Sequence, residues 1–251
     1  GARVSYAGMY YDNAGRMTAG VDVGTNGGSS WTRPSTVPSR SDTALVGSYT
    51  FDAAGRVYEV TDPRGLVTRT LYDALGRTTT TVENYVNGTV SDTDDKTTTF
   101  AYNGAGMTSL SAHLTGGGVQ TTQWVYGVTA GGGSTIASND GVGATKRPDP
   151  ATGSPRSSHQ ETTKVNALGQ TLTATDRNGN VHTLTYDVLG RVVSDAVTTL
   201  GSGVDGGVRR VEYAYDGQGN AYLVTSYNAA SSGSIVNQVQ RAFNGLGQLV
   251  T

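Results

Sequence analysis

The sequence has no cysteine, which excludes disulfides, thiolate metal sites and a cysteine nucleophile. It has only 3 Phe, 6 Pro and 3 His, and hydrophobic residues make up 35%, a low share for a compact globular domain. Strong helix formers are sparse and rarely clustered. No apolar run approaches the ~20 residues that a membrane-spanning helix needs, and no signal peptide is visible. The net charge is −2, and the basic residues stand singly apart from Lys146-Arg147 and Arg209-Arg210, so there is no electrostatic footprint for nucleic acid. What the chain has in quantity is glycine, 36 of 251 residues, with many Thr and Ser and 14 Tyr. Thr, Val and Tyr fill the segments between glycines, a strand-and-turn composition. The chain does not begin with Met and stops four residues past a turn glycine, so it is expected to be a piece of a longer one.

One short pattern recurs along the chain. "YDNAGR" contributes Tyr11, Asp12, Gly15 and Arg16. "FDAAGR" contributes Phe51, Asp52, Gly55 and Arg56, and "YDALGR" Tyr72, Asp73, Gly76 and Arg77. "YNGAGM" follows with Tyr102, Asn103 and Gly106, and "VNALGQ" with Asn166 and Gly169. "YDVLGR" holds Tyr186, Asp187, Gly190 and Arg191. "YDGQGN" holds Tyr215, Asp216 and Gly219, and "FNGLGQ" holds Phe243, Asn244 and Gly247. Steps between successive Asp/Asn positions are 40, 21, 30, 63, 21, 29 and 28. The words "TDPRGLVTRTLYDALGR" (61–77) and "TDRNGNVHTLTYDVLGR" (175–191) match at an offset of 114, so a block has been duplicated. The sequence therefore reads as one continuous array over 1–251, with duplicated blocks at about 51–110 and 165–223 and an irregular insert at about 108–164.

Each motif has a local physical reading. Asp or Asn, two permissive residues and then Gly fit a type I turn, and the Asx side chain accepts a backbone hydrogen bond two residues on. Gly supplies the left-handed conformation that closes a three-residue hairpin loop with a bulge. The preceding aromatic ends a strand and can pack onto a neighbouring unit. The following Arg can pair with the Asp or stack on a ring. "TDPRG" and "TDRNG" read as further turns. A lone hairpin buries too little to be stable, so the units must stack side by side.

The Y-D-x-x-G-R pattern resembles the YD repeat of RHS (rearrangement hotspot) proteins, the teneurins and the shell-forming components of bacterial toxin complexes, over most of the chain from Tyr11 onward. The resemblance implies an all-β fold in which tandem hairpins form a spiralling antiparallel sheet, a solenoid- or shell-like ribbon with essentially no helix. It implies a structural, non-enzymatic scaffold segment of a large secreted or cell-surface bacterial protein, forming a wall, shell or stalk. An adhesion module for glycans, or the shell of a toxin-delivery protein with aspartyl self-cleavage, are the alternatives. The expected partners are neighbouring repeats of the same longer chain, other copies joined end to end, or glycans and other cell-surface ligands. No cofactor, metal or nucleic acid is expected.

Other motifs are weaker. Trp31 and Trp124 are candidate glycan contacts, since aromatics serve sugar rings as well as packing. "TDPRGL" (Asp62, Pro63, Gly65) superficially fits a D-P-x-G self-cleavage site, but its counterpart lacks the Pro and both read as turns. "GSGVDG" (Gly201, Gly203, Gly206) is followed by a strand pattern, so the helix N-terminus that a phosphate site needs is missing. Asp92, Asp94 and Asp95 read as a solvated loop. His113, His159 and His182 lack metal-ligand spacing, and His182 falls where the other block has Thr68.

Overall fold

The structure of the chain is a computed structural model that describes residues 3–250 apart from Val86 and Gly132. Among the described residues, seventeen strands belong to one antiparallel sheet. Among the described residues there is no α-helix, only three short 3-10 segments at Asn26–Gly28, Val128–Gly131 and Ser157–His159. The chain divides into two compact units, residues 1–101 with 110–120, and residues 102–109 with 121–251.

The first unit holds β1 (Tyr6–Tyr11), β2 (Met17–Gly24), β3 (Leu45–Phe51), β4 (Val57–Thr61), β5 (Val67–Tyr72), β6 (Thr78–Glu83) and most of β7 (Lys96–Tyr102). Each strand pairs with the next in sequence, a plain antiparallel meander. Residues of β8 (Met107–His113) and β9 (Val119–Tyr126) fall in both units. The second unit continues with β10 (Val142–Lys146), β11 (Glu161–Val165), β12 (Thr171–Thr175), β13 (Val181–Tyr186), β14 (Val192–Thr199), β15 (Arg210–Tyr215), β16 (Ala221–Tyr227) and β17 (Ile235–Gln240), and from β9 onward each strand again pairs with the next.

A meander places the C-terminal ends of its odd-numbered strands on one edge. In the first unit the turns at Asp12, Asp52 and Asp73 follow β1, β3 and β5. In the second, those at Asn166, Asp187, Asp216 and Asn244 follow β11, β13, β15 and β17. Within each unit every motif therefore sits on the same edge, and the varied connections occupy the other. The 63-residue step is explained by the odd strand β9, which ends on Tyr126-Gly127 with no Asx after it. The stretch 108–164 thus contains most of β8 and all of β9 and β10, together with the long connections 127–141 and 147–160.

The two duplicated blocks share their register. Thr61 pairs with Val67 and Tyr72 with Thr78 in one, and Thr175 pairs with Val181 and Tyr186 with Val192 in the other, each pair offset by 114. The pairing slips by one residue just before each of these motif aromatics, at Leu71/Tyr72 and at Thr185/Tyr186, which is the bulge that the motif glycine completes.

The core is thin. Tyr10, Ala19, Val21 and Val46 form a buried cluster in the first unit, with Val23 and Ala44 packed against it. Val82 and its 114-offset counterpart Ala196 are both buried. Most other strand residues are half-buried, and all six residues of β17 are exposed. Thr at so many positions gives pleated, half-wet faces, so backbone pairing carries much of the cohesion.

Candidate functional site

The recurring turn is built around one carboxylate. At Asp73 the backbone N–H donates to the Arg77 carbonyl (2.9 Å), and the Gly76 N–H donates to the Asp73 carbonyl (3.0 Å). Asp73 Oδ1 accepts the N–H groups of Leu75 and Arg77, each at 2.9 Å, and Oδ2 accepts Arg77 Nε at 2.7 Å. Gly76 closes the loop at φ +82°, where a side chain is strained. Asp12, Asp52 and Asp187 repeat the same set of bonds. The type I turn leaves two N–H groups pointing at the Asx side chain, and the carboxylate satisfies both while it holds the guanidinium.

The sixth motif position varies together with the second. Where the second residue is Asp, the sixth is a donor, either Arg or the Asn220 amide, whose Nδ2 donates to Asp216 Oδ2 at 3.0 Å. At two of the three turns whose second residue is Asn, the sixth is Gln. Asn166 Nδ2 donates to Gln170 Oε1 (2.7 Å), and Asn244 Nδ2 donates to Gln248 Oε1 (2.8 Å). Asn103 is followed instead by Met107, and its turn is tighter: the Asn103 N–H donates to the Gly106 carbonyl. Asp62 and Asp176, in the second sequence word, form the same turn as the main motif, with Asn180 Nδ2 donating to Asp176 Oδ2 at 2.7 Å. Their D-x-x-G spacing was the available signal for that identity.

These bonds favour the ionised carboxylate. The Arg backbone N–H, and then the guanidinium, hold Asp12, Asp52, Asp73 and Asp187 below the ordinary value. The Asn180 and Asn220 amides, followed by their backbone N–H groups, lower Asp176 and Asp216. At Asp62 desolvation pushes upward, but the Arg64 guanidinium and the backbone N–H groups of Leu66 and Arg64 outweigh it, and the net shift is down.

The turns also reach one another. Arg16 lies over the Phe51 ring (4.4 Å to its centroid), Arg56 over Tyr72 (4.6 Å) and Arg191 over Tyr215 (4.3 Å). Arg56 Nη1 donates to the Asp73 carbonyl (2.9 Å). In return, the Tyr72, Tyr186 and Tyr215 hydroxyls donate to the carbonyls of Val57, Thr171 and Val192, each at 2.8 Å and each the residue just after the sixth motif position of the preceding turn. The Tyr126 hydroxyl at the end of β9 lies against Gly106 of the preceding motif turn. The Arg therefore does both things the sequence allowed, pairing with its own Asp and stacking on the next repeat's ring.

The other candidates do not converge on a site. Trp31 is half-buried with its indole against Gly8, beside Arg33, which lies over the Tyr10 ring (4.9 Å). Trp124 is half-buried in β9 opposite Thr145. The Asp62 carboxylate is occupied by Arg64 and Leu66. Gly201, Gly203 and Gly206 lie in the β14–β15 connection. His182 Nδ1 is 2.8 Å from Asp195 Oδ1, His113 Nδ1 is 3.6 Å from Asp92 Oδ1, and His159 Nδ1 bonds to Ser158 Oγ at 3.0 Å. Among the described residues no three His, Cys, Asp or Glu side chains group so as to hold a metal ion.

The family model that matches is the RHS repeat, over residues 51–90. The matched residues span the Asp52, Asp62 and Asp73 turns and β4 to β6, two motif turns on one edge and one turn on the other. No curated protein sequence matches the chain significantly. Among solved structures, the crystal structures of TcdB2-TccC3-Cdc42, TcdB2-TccC3-TEV and TcdB2-TccC3 align with 96% of this chain at 14% identity, with TM-scores of 0.29, 0.28 and 0.28. The chain spans 15% of the length of those chains.

Proposed function

We propose that the chain is a scaffold segment of a large exported RHS-repeat protein, a stretch of β-sheet wall in a shell or stalk, with no catalytic role. The observation that supports this most is the use of the motif side chains. Each motif Asp is consumed by its own turn, and Arg16, Arg56 and Arg191 span to the next repeat, so these polar groups hold neighbours together. Tyr72, Asp73, Gly76, Arg77 and their equivalents carry folding in this reading. The partners are the adjoining repeats of the parent chain. Trp31, packed against Gly8, supports packing more than sugar binding, and the occupied Asp62 carboxylate speaks against self-cleavage at "TDPRGL".

Limited proteolysis of the purified chain tests this reading. A wall segment resists cleavage at the Asx–Gly turns and is cut in the long connections 25–44, 127–141 and 147–160. Cleavage at the motif turns as fast as in those connections contradicts it. So does a fragment ending near Asp62 that forms without added protease.

A further inference from the structure

The second unit carries a row of exposed apolar side chains on its motif edge. Leu168, Leu189 and Leu246 occupy the same position, just before the turn glycine, and are 82%, 74% and 84% exposed. Val188, one residue earlier in its turn, is fully exposed. The type I turn does not call for Leu there, since its central positions accept most residues. In the first unit, Leu75 holds the same place and is 78% exposed.

The row is stiff. Each Leu N–H donates to its Asx Oδ1 at 2.9 Å. Successive turns are joined by Gln170 Nε2 to the Gly190 carbonyl and by Gln218 Nε2 to the Gly245 carbonyl, each at 3.3 Å. The turns follow alternate strands, so the leucines recur at multiples of ~9–10 Å along the edge, with Gln218 standing in the one gap.

We propose that this row is a contact surface for a second copy of the chain, with two motif edges meeting leucine to leucine. Three observations select that occupant. The row's period is that of the repeat, so another such edge matches it in register along its whole length. Of the row's four turns, Asp187 is bonded to Arg191, the Asn166–Gln170 and Asn244–Gln248 turns are neutral, and Asp216 carries one carboxylate held by the Asn220 amide and backbone N–H groups, so the edge brings little charge to a face-to-face contact. The four side chains are each 74% or more exposed; exposed apolar patches of ~300–600 Å² mark contact sites, and specific interfaces become stable near ~1,200 Å². The contact joins edges side by side, unlike end-to-end pairing through β17. It deepens the scaffold reading by naming what adjoins the wall, and it rests on that reading.

Sedimentation over a range of concentrations tests it with the whole chain. The natural protein is expected to self-associate, and the Leu168→Asn/Leu189→Asn/Leu246→Asn variant to remain monomeric with an unchanged circular dichroism spectrum. Gln218→Leu, which fills the gap, is expected to tighten association by roughly tenfold. Ile235→Lys/Val239→Lys, which disables the exposed strand β17, is expected to associate as the natural chain does. The proposal is overturned if the natural chain stays monomeric, if the triple variant associates equally well, or if only the β17 variant loses association. It is also overturned if the monomer floats with phosphatidylcholine vesicles through these leucines without self-associating. Failure to associate in a protease-resistant sheet removes this contact alone, whereas rapid digestion through the turns removes the scaffold reading itself.

Discussion

One carboxylate accepting two backbone N–H groups and a guanidinium is the smallest piece of this molecule that explains the rest. Gly190 closes such a turn at φ +81°, and a Cβ there also meets Gln170 Nε2 at 2.9 Å. Gly190→Val is expected to cost about 1–3 kcal/mol in chemical denaturation, while Gly20→Ala, at a strand glycine with open space and ordinary φ, is expected to be neutral or slightly stabilising. The matched second and sixth positions predict a compensating pair. Asp187→Asn alone should lower the melting temperature, and Asp187→Asn/Arg191→Gln should recover part of the loss by recreating the Asn166–Gln170 pairing; a double variant no better than the single contradicts this. The lowered carboxylates set the acid limit. Their folded values lie below the unfolded one, so the stability they add is present above the ordinary carboxylate range and is lost as pH falls through it. The melting temperature should be nearly flat between about pH 7 and 5 and fall below about pH 4, and a fall that begins near neutrality contradicts this assignment.

A hairpin here is not complete without the next one. The Tyr215 hydroxyl reaches back to the Val192 carbonyl while Arg191 covers the Tyr215 ring. Tyr215→Phe keeps the stacking and loses the hydrogen bond, an expected loss of about 0.5–1.5 kcal/mol, and unchanged denaturation would show the bond to be idle. Much of this level was legible in the sequence. The D-x-x-G spacing announced the turns, the alternation of Thr with Val and Tyr announced strands, and the offset of 114 announced a register that both blocks share. Less legible were the features that depend on strand parity. That all motifs in a unit share one edge, and that the long 63-residue step passes an odd strand ending on Tyr126, follows only once β8 to β10 are known to be strands. Degenerate words such as "QTTQWVYG" carry the strand period but not the turn chemistry. Whether the motif Arg pairs or stacks was also open, because its ring partner lies in the next repeat, 16 to 35 residues away.

At the scale of the whole molecule, the composition foretold an all-β chain and the structure is one, a seventeen-stranded antiparallel sheet with little buried apolar volume. A sheet of half-buried threonines derives its cohesion from neighbours, so its stability should be a sum of nearest-neighbour terms along the array. Hydrogen–deuterium exchange on the Gly190→Val variant tests that claim most directly. Protection should fall in β13 and β14 and also in the adjoining strands β12 and β15, while β3 to β5 keep theirs. Loss confined to residues 187–191, or spread evenly over every strand, would contradict it.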